Sequence, residues 1–480
     1  MPRTSQVAGG RGGVAAALAA ALLYAGIIAA LAPWRGVFAF DPDEGVNLIK
    51  AQLMARGATL YAPLWSDQPP LFTHLLRAWG AVIGWDVDRA RLLVVLFAAA
   101  TVFAVYDVAR LEAGQRAGCA AAALLAASTC FPRLSVSVMI GLPALAFASL
   151  ALWALFRWVH GGGAGWLLIG GGLMGGALAT KLFTAFLVPL LALWLVWVCP
   201  ARRGVRAALI WLAGTLATGA VLLLALVGPA HLHQLADTHS AARQSADLAR
   251  FDARGLLAGA AAEWPLTLLG AAACLLLLVQ RRRAARVFPA WAAVAALLLI
   301  GHVPVWYHHY LLLSLPLATA AGIGLAILFG GDTAPLPARA LPWLRSAAAV
   351  LIVALPIASL RASWLPPPQR MDDGPRRVLA AMASGPRGTG SVFTSEPMYA
   401  VRSGADVPPA LAVLSRKRLA TDAGLHSAID ELFAAQPPDQ VVIASSGTIA
   451  EWARAAMAER YRLLLTAGGL EVYGRRDAGP

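Results

Sequence analysis

Residues Phe40–Leu71 read FDPDEGVNLIKAQLMARGATLYAPLWSDQPPL, the one long polar interruption near the start of an otherwise apolar chain. The stretch gathers Asp41, Asp43, Glu44 and Asp67 and closes on Gln68-Pro69-Pro70. Acidic side chains beside a bilayer cost free energy, so a cluster of them reads as a working site. The plain alternative is a solvated loop whose charges keep it out of lipid. Val46, Ile49, Leu53 and Met54 are spaced for one apolar face and predict a short amphipathic helix. Gly57 ends that helix, and Pro69-Pro70 fixes the chain where the next apolar run begins.

The rest of the chain supplies the membrane. Hydrophobic residues make up 59% of 480 positions and charged residues only 13%, which excludes an ordinary soluble protein. Apolar runs of roughly 18 to 24 residues recur throughout, the mark of a polytopic helical membrane protein. A net charge of +14 raises the question of nucleic acid. The arginines are scattered through short connections between apolar runs, however, so topology accounts for them and a nucleic-acid partner is not expected. Cys119, Cys130, Cys199 and Cys274 have no metal-ligand spacing and read as buried thiols.

About eleven spans are predicted. They begin with Val14 to Ala32 and run through 91–108, 117–131, 136–159, 166–180, 182–198, 207–227, 256–279, 287–303, 307–329 and 344–360. Leu71 to Trp85 is apolar but short and holds His74 and Arg77, so it reads as a helix lying in the interface. With the basic N-terminus inside, Arg110, Arg116, Arg157, Arg202, Arg203, Arg206, Arg281 to Arg283, Arg286 and Arg339 all fall in cytoplasmic connections. The Asp43 loop then lies outside, as does everything after the last span. Two domains are expected: 1–363 in the membrane, with a first outer loop over 34–87, and a soluble α/β domain over 364–480. In the latter, strands are predicted at 392–394, 441–444, 461–465 and 470–473, with helices at 424–435 and 448–458.

Asp43-Glu44 outside a first span, then Gly57, Leu60-Tyr61 and the box from Asp67 to Leu71, resembles the GT-C glycosyltransferases. Within that fold the pattern is most similar to the relatives of protein O-mannosyltransferases and aminoarabinose transferases. The resemblance implies transfer of a sugar from a polyprenyl-phosphate donor, with inversion, to a lipid, glycan or protein acceptor, in a bacterial inner membrane. It also makes Asp43 the catalytic base, with Glu44 orienting it or binding a metal. Asp43 has a plainer alternative role as the N-cap of the following helix.

Gln68 stands where aminoarabinose transferases carry a phosphate-contacting lysine, and glutamine can hydrogen-bond a phosphate but not neutralise it. Lys181, at the end of a glycine-rich helix, is the expected substitute; the plainer reading is a snorkelling lysine. Arg133, His308 and His309 are further candidates for the donor phosphate, the two histidines alternatively serving with their aromatic neighbours as interface anchors. The family's second acid, between the third and fourth spans, is absent from Arg133 to Pro143. His233 and His239, in a loop with His231 and Asp237, are candidates to hold a divalent metal ion. The competing classes are a polytopic transporter and a non-catalytic scaffold. Against the transporter stands the expectation that no span carries a charge at mid-helix.

Overall fold

The computed structural model describes residues 11–227, 231, 254–302, 304–330, 336–361, 367–384 and 390–476. Helix α1 (Arg11–Leu31) leads through β1 (Val37–Ala39) into α2 (Asp43–Ala55), the helix predicted from the apolar spacing, and Gly57 follows with φ +101°. Next come α3 (Leu71–Ile83), α4 (Val87–Ala113), α5 (Gln115–Ala126), α6 (Cys130–Ser135), α7 (Gly141–Val159), α8 (Gly165–Thr180), α9 (Leu187–Val198) and α10 (Ala201–Leu226). The helical part closes with α11 (Arg254–Ala262), α12 (Trp264–Val279), α13 (Val287–Ile300), α14 (Leu311–Gly330) and α15 (Leu341–Arg361).

Every expected span falls on helix, but length alone does not confirm the count of eleven. Six described helices are long and apolar enough to cross a membrane, or seven if α11 and α12, bent by 95°, form one span. Helix α5 has 12 residues and reaches only about 18 Å, short of a hydrocarbon core of about 30 Å. Helix α3, at 13 residues, is likewise too short. Glu263 sits at the α11–α12 break, inside the expected span 256–279, so the expectation of no charge at mid-helix fails there; Asp107 lies toward the C-terminal end of α4. Both are tolerated because local donors hold them: Cys130 N and the Ser314 hydroxyl bond to Glu263. Of the four thiols, Cys130 and Cys274 are buried, whereas Cys119 is exposed.

The glycines of α8 let it press against α10. A methyl group added at Gly171 would lie 2.6 Å from the Trp211 carbonyl oxygen, and one at Gly175 2.8 Å from Gly219 N. This packing brings the end of α8, and Lys181 after it, to the same end of the bundle as α2.

Beyond α15 the chain forms β2 (Gln369–Arg370), α16 (Asp373–Ala383), β3 (Val392–Thr394), α17 (Pro397–Ser403), α18 (Arg416–Thr421), α19 (Leu425–Ala435), β4 (Gln440–Ala444), α20 (Thr448–Met457), β5 (Tyr461–Ala467) and β6 (Leu470–Arg475). The strands order as β3-β4-β6-β5, with β3 parallel to β4 and the other pairs antiparallel. This α/β unit is fastened to the first loop. Strand β2 pairs with β1, Arg402 donates to the Phe38 carbonyl at 2.7 Å, and the Phe38 and Tyr399 rings meet at 4.5 Å. A methyl at Gly45 of α2 would lie 2.5 Å from Met398 N, so only glycine allows α17 to seat this closely.

Candidate active site

Asp41 organises the start of α2. Its Oδ1 accepts from Asp43 N at 2.9 Å and its Oδ2 from the Tyr307 hydroxyl, while its backbone carbonyl accepts from Glu44 N at 3.1 Å. The capping work considered for Asp43 therefore falls to Asp41. The Asp43 carboxylate accepts no hydrogen bond from any described residue. It is exposed to solvent at the start of α2, with Asp41, Asp67, Lys50 and Lys181 as its charged neighbours.

The next residue has the opposite surroundings. Glu44 is fully buried, with Oε1 bonded by Val138 N at 2.8 Å and Arg91 Nε at 3.1 Å, and Oε2 by Phe40 N at 2.6 Å and Arg91 Nη2 at 2.9 Å. Four donors occupy the acceptor sites that a metal or a substrate proton would need. Glu44 thus ties α2, α4 and the segment after α6 together.

Burial pushes the Asp43 carboxyl up to about 7, with Asp41 and Asp67 adding to the shift and Lys181 and Lys50 opposing it. Lys181 faces Asp43, Asp67, Asp41 and Lys417, and burial holds its amine down to about 8. The structure thus brings Lys181 together with Asp43. Lys50, one 2%-exposed residue on α2, also faces Asp43 and Asp67, and burial lowers its amine. Burial raises Asp67, but Lys417, Lys50 and Gln68 outweigh it and hold its carboxyl at about 2. Its Oδ2 accepts from Lys417 Nζ at 2.9 Å and from Gln68 Nε2 at 2.8 Å.

The loop bearing Asp67 is closely determined. Tyr61, at a φ of +72° unusual for a side-chain-bearing residue, is held by Tyr61 N to the Leu64 carbonyl at 2.6 Å and by its hydroxyl to the Gln68 carbonyl at 2.6 Å.

The remaining candidates divide. Arg133 donates to the Phe40 carbonyl and lies over the Phe40 ring, in electrostatic reach of Asp41 and Tyr307. His309 is packed: its ring stacks on Phe183 at 4.5 Å and its Nδ1 accepts from Trp306 N at 3.2 Å. His308 stands beside Lys181, and its Nδ1 is buried with no hydrogen-bond partner. His233 and His239 lie outside the described residues, and among the described residues no group of three His, Cys, Asp or Glu could hold a metal ion. Sequence reasoning passed over Lys50 and Lys417, and gave Asp41 and Tyr307 no role of their own. Lys50, a charge amid Leu48, Ile49, Leu53 and Met54, was the available signal.

A bundle of apolar helices with an acidic helix at one end and an α/β unit over it is a GT-C arrangement. ArnT from Cupriavidus metallidurans bound to undecaprenyl phosphate superposes with a TM-score of 0.66 at 15% identity, over 98% of this chain and 100% of that one. Archaeal oligosaccharyltransferase AglB from Archaeoglobus fulgidus, in complex with an inhibitory peptide and a dolichol-phosphate, gives 0.57 at 12% identity over 90% of this chain and 69% of that chain. The family model for dolichyl-phosphate-mannose-protein mannosyltransferase matches residues 67–226. No curated protein matches the sequence. The chain has the fold of the GT-C glycosyltransferases, as the first loop led us to expect.

Proposed function

We propose that this chain is an inverting glycosyltransferase of the outer membrane face, moving a sugar from a polyprenyl-phosphate donor to a lipid, glycan or protein acceptor. The observation that carries the reading is the solvent-exposed Asp43 carboxylate, which accepts no hydrogen bond from any described residue and faces Lys181 in a GT-C fold. Asp43 takes the proton from the acceptor nucleophile, whose lone pair forms a bond to the anomeric carbon. The bond from that carbon to the phosphate oxygen breaks, and its electron pair leaves with the phosphate, where Lys181 offsets the charge. Attack and departure on opposite faces give inversion. His308 beside Lys181, and Arg133 beside Asp41, line the approach to the same anion.

The outer side is supported by the arginine distribution and by geometry. Arg110, Arg157 and Arg282, all expected inside, converge at the C-terminal end of α4, whereas Glu44 meets Arg91 at its N-terminal end. Twenty-seven residues of helix separate those ends by about 40 Å.

The test is consumption of radiolabelled polyprenyl-phosphate sugar by reconstituted protein with extracted envelope lipids and glycans as acceptors. Asp43→Asn keeps size and polarity but removes the base, and is expected to lower turnover about a hundredfold to ten-thousandfold while donor binding persists. Near-normal turnover would remove Asp43 from the role.

A further inference from the structure

The chain carries 39 basic lysine and arginine residues, and only three of them are lysines: Lys50, Lys181 and Lys417. They are 131 and 236 positions apart in sequence, yet all three share one acid: Lys417 by a direct 2.9 Å contact to Asp67, Lys50 and Lys181 within electrostatic reach of it. Lys417 bonds Asp67, Lys50 faces Asp67 and Asp43, and Lys181 faces both of those acids and Lys417 as well. They come from three separate parts of the fold: α2, the turn after α8, and α18 of the C-terminal unit. Everywhere else the chain meets its need for positive charge with arginine. Its cross-links to the α/β unit at Arg56 and Arg402, its buried pair at Arg91 and its inside connections are all guanidinium-based.

Arginine and lysine are not equivalent. A guanidinium is a broad planar fork that holds its charge under all conditions, whereas an ammonium is a compact charge whose three donors rotate and whose proton can be shed when buried. An ammonium meets a phosphate as a point charge whose donors turn to suit it, with no demand for bidentate geometry. An array of three cations on three acids, Asp41, Asp43 and Asp67, is also close to neutral while empty, so it tolerates burial.

We propose that Lys50, Lys181 and Lys417 form a single anion-binding site for the terminal phosphate of a prenyl-phosphate lipid, and that Lys417 makes the C-terminal α/β unit a working part of it. The assignment of the lipid rests on the glycosyltransferase reading; the convergence of the lysines does not. Asp67 acts as the counter-ion that holds Lys417 in position beside Gln68, the neutral side chain on the same carboxylate oxygen. A simple clamp between the two halves of the chain is the competing role for Lys417.

The scarcity of lysine makes the experiment direct. Full-length wild-type protein in nanodiscs is reductively methylated, and modification is read by mass spectrometry at Lys181 and Lys417, both part-exposed, with the deeper Lys50 as a slow third site. Undecaprenyl phosphate is expected to slow modification of Lys181 and Lys417 together by about tenfold or more, and undecaprenol to leave both unchanged. Slowing by undecaprenol to the same degree, or slowing at Lys181 alone, overturns the proposal. Equal slowing by inorganic phosphate at the same concentration overturns the lipid as its source.

Binding of undecaprenyl phosphate to two variants separates ligand contact from clamp. Lys417→Met is expected to weaken binding about tenfold or more, and Asp67→Asn, which breaks the same ion pair but keeps the ammonium, to retain it. Equal losses in both would leave Lys417 as a clamp. These readouts need no sugar transfer, so failure of the transfer assay with lysine protection intact would overturn the enzymatic reading and leave the anion site standing.

Discussion

Helix α4 joins two buried charge clusters of opposite design. At its C-terminal end Asp107 is held by Arg110 at 2.7 Å, by Trp153 Nε1 at 2.8 Å and by Arg157 at 3.8 Å, while Glu112 meets His160 at 3.3 Å. Near its N-terminal end the Glu44–Arg91 pair is equally closed, but the residue beside Glu44 accepts no hydrogen bond from a described residue and has Lys181 and Lys50 as its neighbouring cations. At Glu44 and Asp107 the molecule uses arginine and gives each carboxylate oxygen a donor. Where it leaves a carboxylate without donors, the neighbouring cations are lysines. Buried acids are therefore not equivalent as evidence of function: Glu44 and Asp43 are adjacent in sequence and are separated by their hydrogen-bond surroundings.

The largest effect is expected from breaking the closed side. Arg91→Met leaves the Glu44 charge buried without its partner, which typically costs about 3–5 kcal/mol. A lowered unfolding midpoint and loss of monodisperse protein would show it, with Arg91→Met combined with Glu44→Gln recovering part of the loss. Asp43→Asn should unfold at or above the wild-type midpoint, because it relieves a burial cost instead of creating one. If Asp43→Asn destabilised as much as Arg91→Met, the contrast between the two acids would fail.

A smaller effect is expected on the open side. Lys181→Met should lower turnover by on the order of a hundredfold, since the charge acts in a poorly hydrated place. Adding Gln68→Lys to that variant should restore part of the loss by placing an ammonium on the other side of Asp67. Wild-type turnover by Lys181→Met would reduce Lys181 to a snorkelling anchor.

The mildest perturbation is pH. Asp43 must be deprotonated to accept a proton, and with its carboxyl near 7 the rate at low donor concentration should rise about tenfold per unit below that pH. Lys181 must be protonated to offset the phosphate, and with its amine near 8 the same rate should fall above that pH. A narrow bell between the two is the expected profile of kcat/KM. The rising limb should be absent from the residual activity of Asp43→Asn, and its persistence there would assign it to another group.

Much of this was written in the chain. Continuous apolar runs long enough for a bilayer fix a helical membrane protein, because a helix satisfies its backbone within one run, whereas a barrel strand is shorter and alternates. The spacing from Asp43 to Leu71 carried the fold resemblance, and strands were readable at 392–394 and 461–465, the latter running on to Ala467 in the fold. The glycines before Lys181 announced the close α8–α10 packing.

What the sequence did not carry is which charges are already satisfied. A carboxylate's role depends on donors brought from far away: Val138 and Arg91 for Glu44, Lys417 for Asp67, Tyr307 for Asp41. Composition likewise measures how apolar a run is but not where the helix breaks, as it does at Glu263. Periodicity and hydropathy are local and survive in one dimension; hydrogen-bond satisfaction and the meeting of Lys50, Lys181 and Lys417 are long-range, and only the folded chain decides them.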